Sequence, residues 1–466
     1  MGYSSLLWVW LAAGSEALGL SPAGVAPLVT VGCAGLLLWR ISALLAPRGP
    51  WALAVGLGSL TLSPAVACWS SSGMETMAYT LLVYLGWERC LHRQRAGTDW
   101  VAGGVLLGLV LIRAEGFAWV AVWLGLAVLL RPDRGRPLWA PAGVALLALA
   151  AHFGWRLATY GAWLPLTVTA KVDPSLPLFV RGLRYLAHGM LVLVTPMAAL
   201  AAAPGFLRAG GGARWGLGAA AAFALGWPVL AGGDFMAFSR LLLPALPLLA
   251  VVLGEAAARS APLRAVGAGA ALLGALAATG VEPLRAPLGA HVQVRRAHSA
   301  ATERGFLQGQ RDRVAVMTEV GRTLDAHLPP RSTAVFGAIG AVGYASRLDL
   351  YDRHGLVTPE VGLRPVAPED LIMPGHDKKV EIWHFLKDEP DVLFAALVAR
   401  QGLTPAVRGF TNALLERQLQ DRYAPQLLPT ETGGALFLYR KVTAAEADAA
   451  WAAFSRAVAA AELPVE

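Results

Sequence analysis

The hydrophobic and polar positions divide the chain into two regimes. Up to about residue 280, apolar runs long enough to span a bilayer recur at 22–39, 51–68, 74–88, 138–155, 188–206, 215–231, 240–258 and 264–280. Between 100 and 130 the run is split into 100–112 and 115–130 around Arg113-Ala114-Glu115-Gly116. At 1.5 Å per residue the whole stretch is too long for one ordinary span and short for two. Two half-length helices meeting at a turn relieved by the glycine fit it. Ser4–Leu20 reads either as a further span or as an amphipathic piece lying along the interface.

After residue 280 the pattern changes. Arg304–His327 carries helical spacing (Phe306, Val314, Met317, Val320, Leu324) and ends at Pro329-Pro330. Thr333–Tyr344 reads as a strand, a glycine-rich turn and a short further element. Asp391–Ala399 and Ala435–Tyr439 are further strand candidates, and Thr443–Ala461 is an alanine-rich helix. The expected architecture is a polytopic α-helical membrane domain over 1–280, followed by a soluble mixed α/β domain over 281–466.

Charge sharpens this picture. Residues 1–280 carry 18 Lys/Arg against 9 Asp/Glu, whereas 281–466 carry 21 against 22. The basic excess thus lies wholly in the apolar half and reads as positive-inside bias, not as a nucleic-acid footprint. Twelve of those cations sit in five connections, at Arg40/Arg48, Arg89/Arg93/Arg95, Arg131/Arg134/Arg136, Arg208/Arg214 and Arg259/Arg264. These alternate with connections holding six, which places the five on the cytoplasmic side and the C-terminal domain outside. Three cysteines, all in or beside apolar runs, offer neither a disulfide framework nor a CxxC metal site.

The opposite, outer connections hold the chemistry. Their carboxylates are Glu75, Glu115, Asp173 and Asp234, with Glu16 if the first segment reaches that side; their cations are Arg113, Arg156, Lys171, Arg181, Arg184 and Arg240. An ionised side chain at the centre of a membrane helix costs about 2.5–3.5 kcal/mol, so Arg113 and Glu115 are expected to face a wet, protein-lined cavity. The plain alternative is an ion pair that ties two helices together. Arg156, Trp163 and Lys171 suit a lipid-linked phosphate, or equally an interfacial belt with snorkelling cations. Gly232-Gly233-Asp234 sets a carboxylate on a tightly turning backbone, six residues before Arg240.

Several stretches, in order, resemble bacterial glycosyltransferases of the C-type membrane superfamily (GT-C), in particular the group containing the actinobacterial terminal arabinofuranosyltransferases. They are Gly2–Trp8, Ser72-Gly73-Met74-Glu75-Thr76, Arg113-Ala114-Glu115-Gly116, and Arg156 with Tyr160-Gly161, Leu164-Pro165 and Lys171. Gly232–Met236 with Arg240 and Leu243-Pro244 follow, then Gly337–Tyr344, Asp352 with Gly355-Leu356, and Pro374–Lys378. The family usually has Pro in place of Ala114 and Asn in place of Leu166. Its Gly-Tyr-Ser stretch follows a first span and a catalytic pair of acids, neither of which precedes it here. That departure reads as a misplaced start or as a truncated member.

The resemblance implies transfer of a sugar from a polyprenyl-phosphate donor to an envelope glycan or lipid acceptor, on the outer face of a bacterial plasma membrane. Arg113, Arg156, Lys171, Arg240, His376 and Lys378 are the candidate phosphate or donor contacts. Asp234, Glu75 and Glu115 are the carboxylates available to deprotonate an acceptor or orient a ligand. A divalent ion bridging carboxylate and phosphate is compatible with the set, though no residue is assigned as a metal ligand. The rival readings are a transporter or flippase for a lipid-linked saccharide, and an inactive scaffold. Transporters usually carry internal repeats, and none is seen here.

Overall fold

A computed structural model describes residues 3–93, 98–130, 135–171, 175–278, 303–367, 371, 374, 376–398, 419 and 421–461. The chain forms two compact units. One is Met1–Phe306 with Pro365–Asp377, and the other is Leu307–Arg364 with Lys378–Glu466. The sequence divides at 280/281; by contacts the division lies at Phe306/Leu307, and a short later excursion belongs with the helical unit.

The first unit is helical: α1 (Leu6–Ala17), α2 (Pro22–Leu45), α3 (Pro50–Thr61), α4 (Pro64–Ser71), α5 (Thr76–Trp87), α6 (Trp100–Ile112) and α7 (Gly116–Leu130). It continues with α8 (Gly135–Tyr160), α9 (Leu166–Lys171), α10 (Leu176–Leu193), α11 (Thr195–Arg208), α12 (Gly212–Leu230), α13 (Ala245–Arg259) and α14 (Ala261–Ala278). Among the described residues, three segments are long and apolar enough to cross a membrane: Pro22–Arg48, Leu138–Tyr160 and Leu176–Leu193. The pair α3 and α4, bent by 58°, makes a fourth if it counts as one. Leu28, Leu147, Leu176 and Trp139 on these helices, and Leu129 on α7, are all more than 60% exposed. A surface so rich in large apolar side chains is consistent with a membrane protein.

Local chemistry explains where the helices stop. The run expected at 51–68 breaks before Pro64, which removes a donor and restricts the residue ahead of it. The run expected at 188–206 breaks at Val194, which has φ +56° just before Thr195-Pro196. The stretch 160–184, which the apolar runs at 138–155 and 188–206 leave as an outer connection, is helical over α9 and much of α10. The split at Arg113–Glu115 forms as expected: Arg113 is extended at the end of α6, and the chain re-enters a helix at Gly116.

At the centre lies α13, buried on every side from Ala245 to Ala257, as a helix apolar all round should be. It packs closely on α3 through Gly254 and Gly56. A β-carbon at Gly254 would sit 2.8 Å from the Ala52 carbonyl oxygen.

The second unit is a five-stranded mixed sheet with strand order β2-β1-β3-β5-β4. The strands are β1 (Thr333–Phe336), β2 (Asp349–Asp352), β3 (Val392–Val398), β4 (Tyr423–Pro429) and β5 (Ala435–Lys441). β1 is parallel to β2 and β3, and β5 is antiparallel to β3 and β4. Helices α15 (Glu303–His327), α16 (Ile339–Tyr344), α17 (Pro359–Gly362) and α18 (Ala444–Ala461) complete it. Alternation along β5 makes two cores: Leu436 and Leu438 pack with Val320 and Leu324 of α15, while Phe437 and Tyr439 pack with Phe385 and Phe454.

Candidate functional site

The helical unit carries one charge cluster at each end of its inner helices. α5 runs from Glu75 to Glu88, and α6 runs back from Asp99 to Arg113. Arg113 pairs with Glu75 at one end, at 2.6 Å, and Arg89 pairs with Asp99 at the other, at 2.5 Å. α12 and α13 repeat this: Arg214, Arg259 and Arg48 converge on the buried Glu255, whereas Asp234 and Arg240 lie at the opposite end. Glu88 likewise holds Arg40 and Arg93. Along α5 the two layers lie about 20 Å apart, at 1.5 Å per residue. Among the described residues, Arg40, Arg48, Arg89, Arg93, Arg214 and Arg259 of the group read as cytoplasmic lie at the Glu88/Glu255 end, and Glu75, Arg113, Glu115, Asp234 and Arg240 lie at the other.

At the site end the α6–α7 break does the positioning. Extended Arg113 directs its guanidinium to Glu115, two residues on, and to Glu75 ahead of α5, and it lies 5.4 Å above the ring of Tyr79. The ion pair between helices and the buried functional charge are thus one arrangement. Gly116 is required here because a β-carbon would strike the Leu109 carbonyl of the preceding helix.

Arg240 is set by a second irregularity. Phe238 and Ser239 both have left-handed backbone, φ +54° and +49°, which costs such residues roughly 1–3 kcal/mol each. The turn is held by the Tyr185 hydroxyl, which accepts from the Leu241 amide at 3.0 Å. It returns Arg240 to Asp234 at 2.8 Å and sets its guanidinium 5.7 Å from the Trp69 ring. Beside it, Arg181 donates to the Gly232 carbonyl at 3.0 Å and forks onto both Asp377 oxygens at 2.9 and 3.0 Å. His376 meets Phe235 edge-on, with centroids 4.8 Å apart.

Arg113, Glu115 and Arg240 line one narrow open cleft, with Thr76, Tyr79, Trp119 and Trp227. Glu75 and Asp234 bond to those arginines from behind, so two guanidiniums face three carboxylates around this cleft. The residues of the break do not all face it. Ala114 and Phe117 line a second cleft with Tyr3, His152, Phe153 and Arg156.

Arg156 differs from every cation just described. It is 1% exposed, near the end of α8, under the faces of Tyr3 and Tyr160 at 4.9 and 5.6 Å. Its Nε donates to the Trp163 carbonyl at 3.3 Å, and its two terminal nitrogens have no hydrogen-bond acceptor among the described residues. The C-terminal helix dipole and the aromatic faces offset part of the desolvation. Removing the partner of a buried charge typically costs about 3–5 kcal/mol, so this guanidinium is in want of an anion.

Residues 304–449 match the family model of a domain of unknown function (DUF8728). That span runs from α15 into the first turns of α18 and includes Asp377. No curated protein and no solved structure matches the chain.

Of the candidate residues named from sequence, Glu75, Arg113, Glu115, Asp234 and Arg240 come together, and Arg156 lies across the break from them. Lys171 ends α9, but its side chain and Asp173 lie outside the described residues. Lys378 belongs to the second unit, where its ammonium donates to the Gly362 carbonyl at 3.1 Å. Among the described residues no three His, Cys, Asp or Glu side chains group as a metal site. Sequence reasoning quoted Asp377 within Pro374–Lys378 but gave it no role; its position as the partner of Arg181 became visible only through the fold. It also missed the rings over the arginines. Tyr79, four residues after Glu75, was the available signal, because one helical turn stacks the two.

Proposed function

We propose that the protein is a multi-pass membrane glycosyltransferase of the GT-C type, which moves a sugar from a polyprenyl-phosphate donor to an envelope glycan or lipid acceptor. The observation that carries this reading is the cleft lined by Arg113, Glu115 and Arg240, with Glu75 and Asp234 behind. Transfer from a lipid phosphate builds negative charge on the leaving oxygen and frees a proton from the acceptor hydroxyl. Preorganised guanidiniums answer the first need, and a carboxylate within reach answers the second. Glu115 is the carboxylate that itself lines the cleft, so it is the residue we assign to the acceptor proton. The paired carboxylates keep Arg113 and Arg240 oriented before a ligand arrives. The arginine-rich Glu88/Glu255 end supports a cytoplasmic assignment for that side, with the cleft opening outward.

The test uses full-length protein in nanodiscs with a panel of radiolabelled polyprenyl-phosphate sugars and an envelope-lipid extract as acceptor source. The wild type is expected to consume one donor. Glu115→Gln, which leaves Arg113 paired with Glu75, should slow consumption at least a hundredfold while melting stays within a few degrees, and Arg113→Gln should slow it at least as much. A wild-type protein that consumes no donor, or two variants as fast as wild type, would refute the transferase reading.

A further inference from the structure

We infer that the cleft around Arg156, a cation already expected from sequence to contact phosphate, is an oxyanion site separate from the Arg113 cleft; only a lipid-borne occupant rests on the transferase reading. Three observations carry it. Arg156 is buried to within 1% of its surface, yet both terminal nitrogens are without an acceptor. Its Nε is already fixed by the Trp163 carbonyl, and Tyr3 and Tyr160 cover the guanidinium, so the two free N–H groups are held in one orientation. The side chain lines a cleft whose other walls include Leu111, Phe117, Leu149 and Phe153.

The two terminal nitrogens of a guanidinium suit a pair of phosphate or carboxylate oxygens. The apolar walls favour a phosphate that carries a hydrocarbon chain, because a chain leaving the guanidinium would run over Phe117 and Phe153. No carboxylate among the described residues pairs with Arg156, whereas Arg113 has two and Arg240 has one. An incoming anion at Arg156 therefore breaks no ion pair, and needs only that the rings of Tyr3 and Tyr160 covering the guanidinium part.

The test measures binding of radiolabelled inorganic phosphate and tritiated farnesyl phosphate to full-length protein in phosphatidylcholine nanodiscs. Both probes are expected to bind the wild type, and Arg156→Gln should weaken both at least tenfold. Farnesyl phosphate binding at least tenfold tighter than inorganic phosphate assigns the site to a lipid-borne phosphate; equal binding assigns it to a free one. Leu164, 40% exposed on the cleft wall, gives a second variant that leaves Arg156 in place. Leu164→Glu supplies a competing carboxylate and should weaken both probes as Arg156→Gln does. The site is refuted if the wild type binds neither probe, or if Leu164→Glu binds both as the wild type does. It is equally refuted if Arg156→Gln, melting normally, keeps full affinity. Sugar transfer lost with probe binding intact counts against the transferase reading alone.

Discussion

Asp234 and Arg240 are 8% and 9% exposed at their side chains, so neither charge can be removed by itself without leaving the other in a poorly solvated place. Asp234→Asn should destabilise the protein by about 3–5 kcal/mol. Asp234→Asn combined with Arg240→Met should recover most of that loss, since the double variant buries no lone charge. Melting of the four proteins in detergent, taken as a double-mutant cycle, checks this; additive losses would refute it. At this scale the sequence was informative wherever a charge interrupted an apolar run. Arg113, Glu115 and Asp234 stand out against leucine and valine. Asp377 lay among other polar residues of a turn, with nothing in its neighbours to indicate an arginine 196 positions earlier.

Individual elements were legible where period and breakers agreed. The α6–α7 break, α15 and α18 stand where the spacing sets them. β2 and β4 were not read: β2 is four residues with Asp at both ends, and β4 carries Pro425 and Pro429. A proline-bearing strand is tolerated because β4 lies at the sheet edge, a position that tertiary structure assigns and local sequence does not. The α3–α13 contact gives a prediction at this scale. Gly254→Val forces a side chain against the Ala52 carbonyl and should cost roughly 1–3 kcal/mol. Gly269→Ala, with open space around it on α14, should be neutral or slightly stabilising. Thermal melting separates the two.

The sheet unit makes a prediction about acid. A hydrogen bond from Arg347 lowers the Asp325 pKa, and one from Lys387 lowers that of Glu360. Thr432 does the same for Glu319, Lys441 for Glu389, and Thr443 for Glu446 at the start of α18. A carboxyl depressed in the folded state contributes stability above its unfolded pKa and loses that contribution as pH falls through the folded value. Stability of this unit should therefore be flat above about pH 5.5 and fall below about pH 4, where free carboxyls titrate. Circular-dichroism melts of the full chain across pH 3–8 check the sign; a unit that melts higher at pH 3 than at pH 6 would contradict it.

For the whole molecule, the two charge layers make a statement about sidedness. Ser71 is exposed at the Glu75 end and Ala261 at the Glu255 end. Single cysteines at these positions, in a background with Cys33, Cys68 and Cys90 replaced, should react with a membrane-impermeant maleimide from opposite faces of sealed vesicles. Labelling of both from one face would remove the outward-opening cleft from the proposal. The alternation of cation-rich and cation-poor connections groups the described arginines as the two layers do. The balance within each layer was not foretold, because which carboxylate meets which arginine depends on helix rotation, and hydropathy along nearly featureless Leu-Ala-Gly faces leaves rotation open.

The turn Arg113-Ala114-Glu115, with Gly116 opening α7, serves as a party wall. Arg113 and Glu115 look into one chamber, Ala114 and the following Phe117 into its neighbour, and Gly116 has no slack against Leu109. An occupant that nudges the wall from one side moves the residues that greet the guest on the other. Thermodynamic linkage then requires reciprocity: by whatever factor a phosphate at Arg156 alters affinity at Arg113, a ligand at Arg113 alters affinity for phosphate by the same factor.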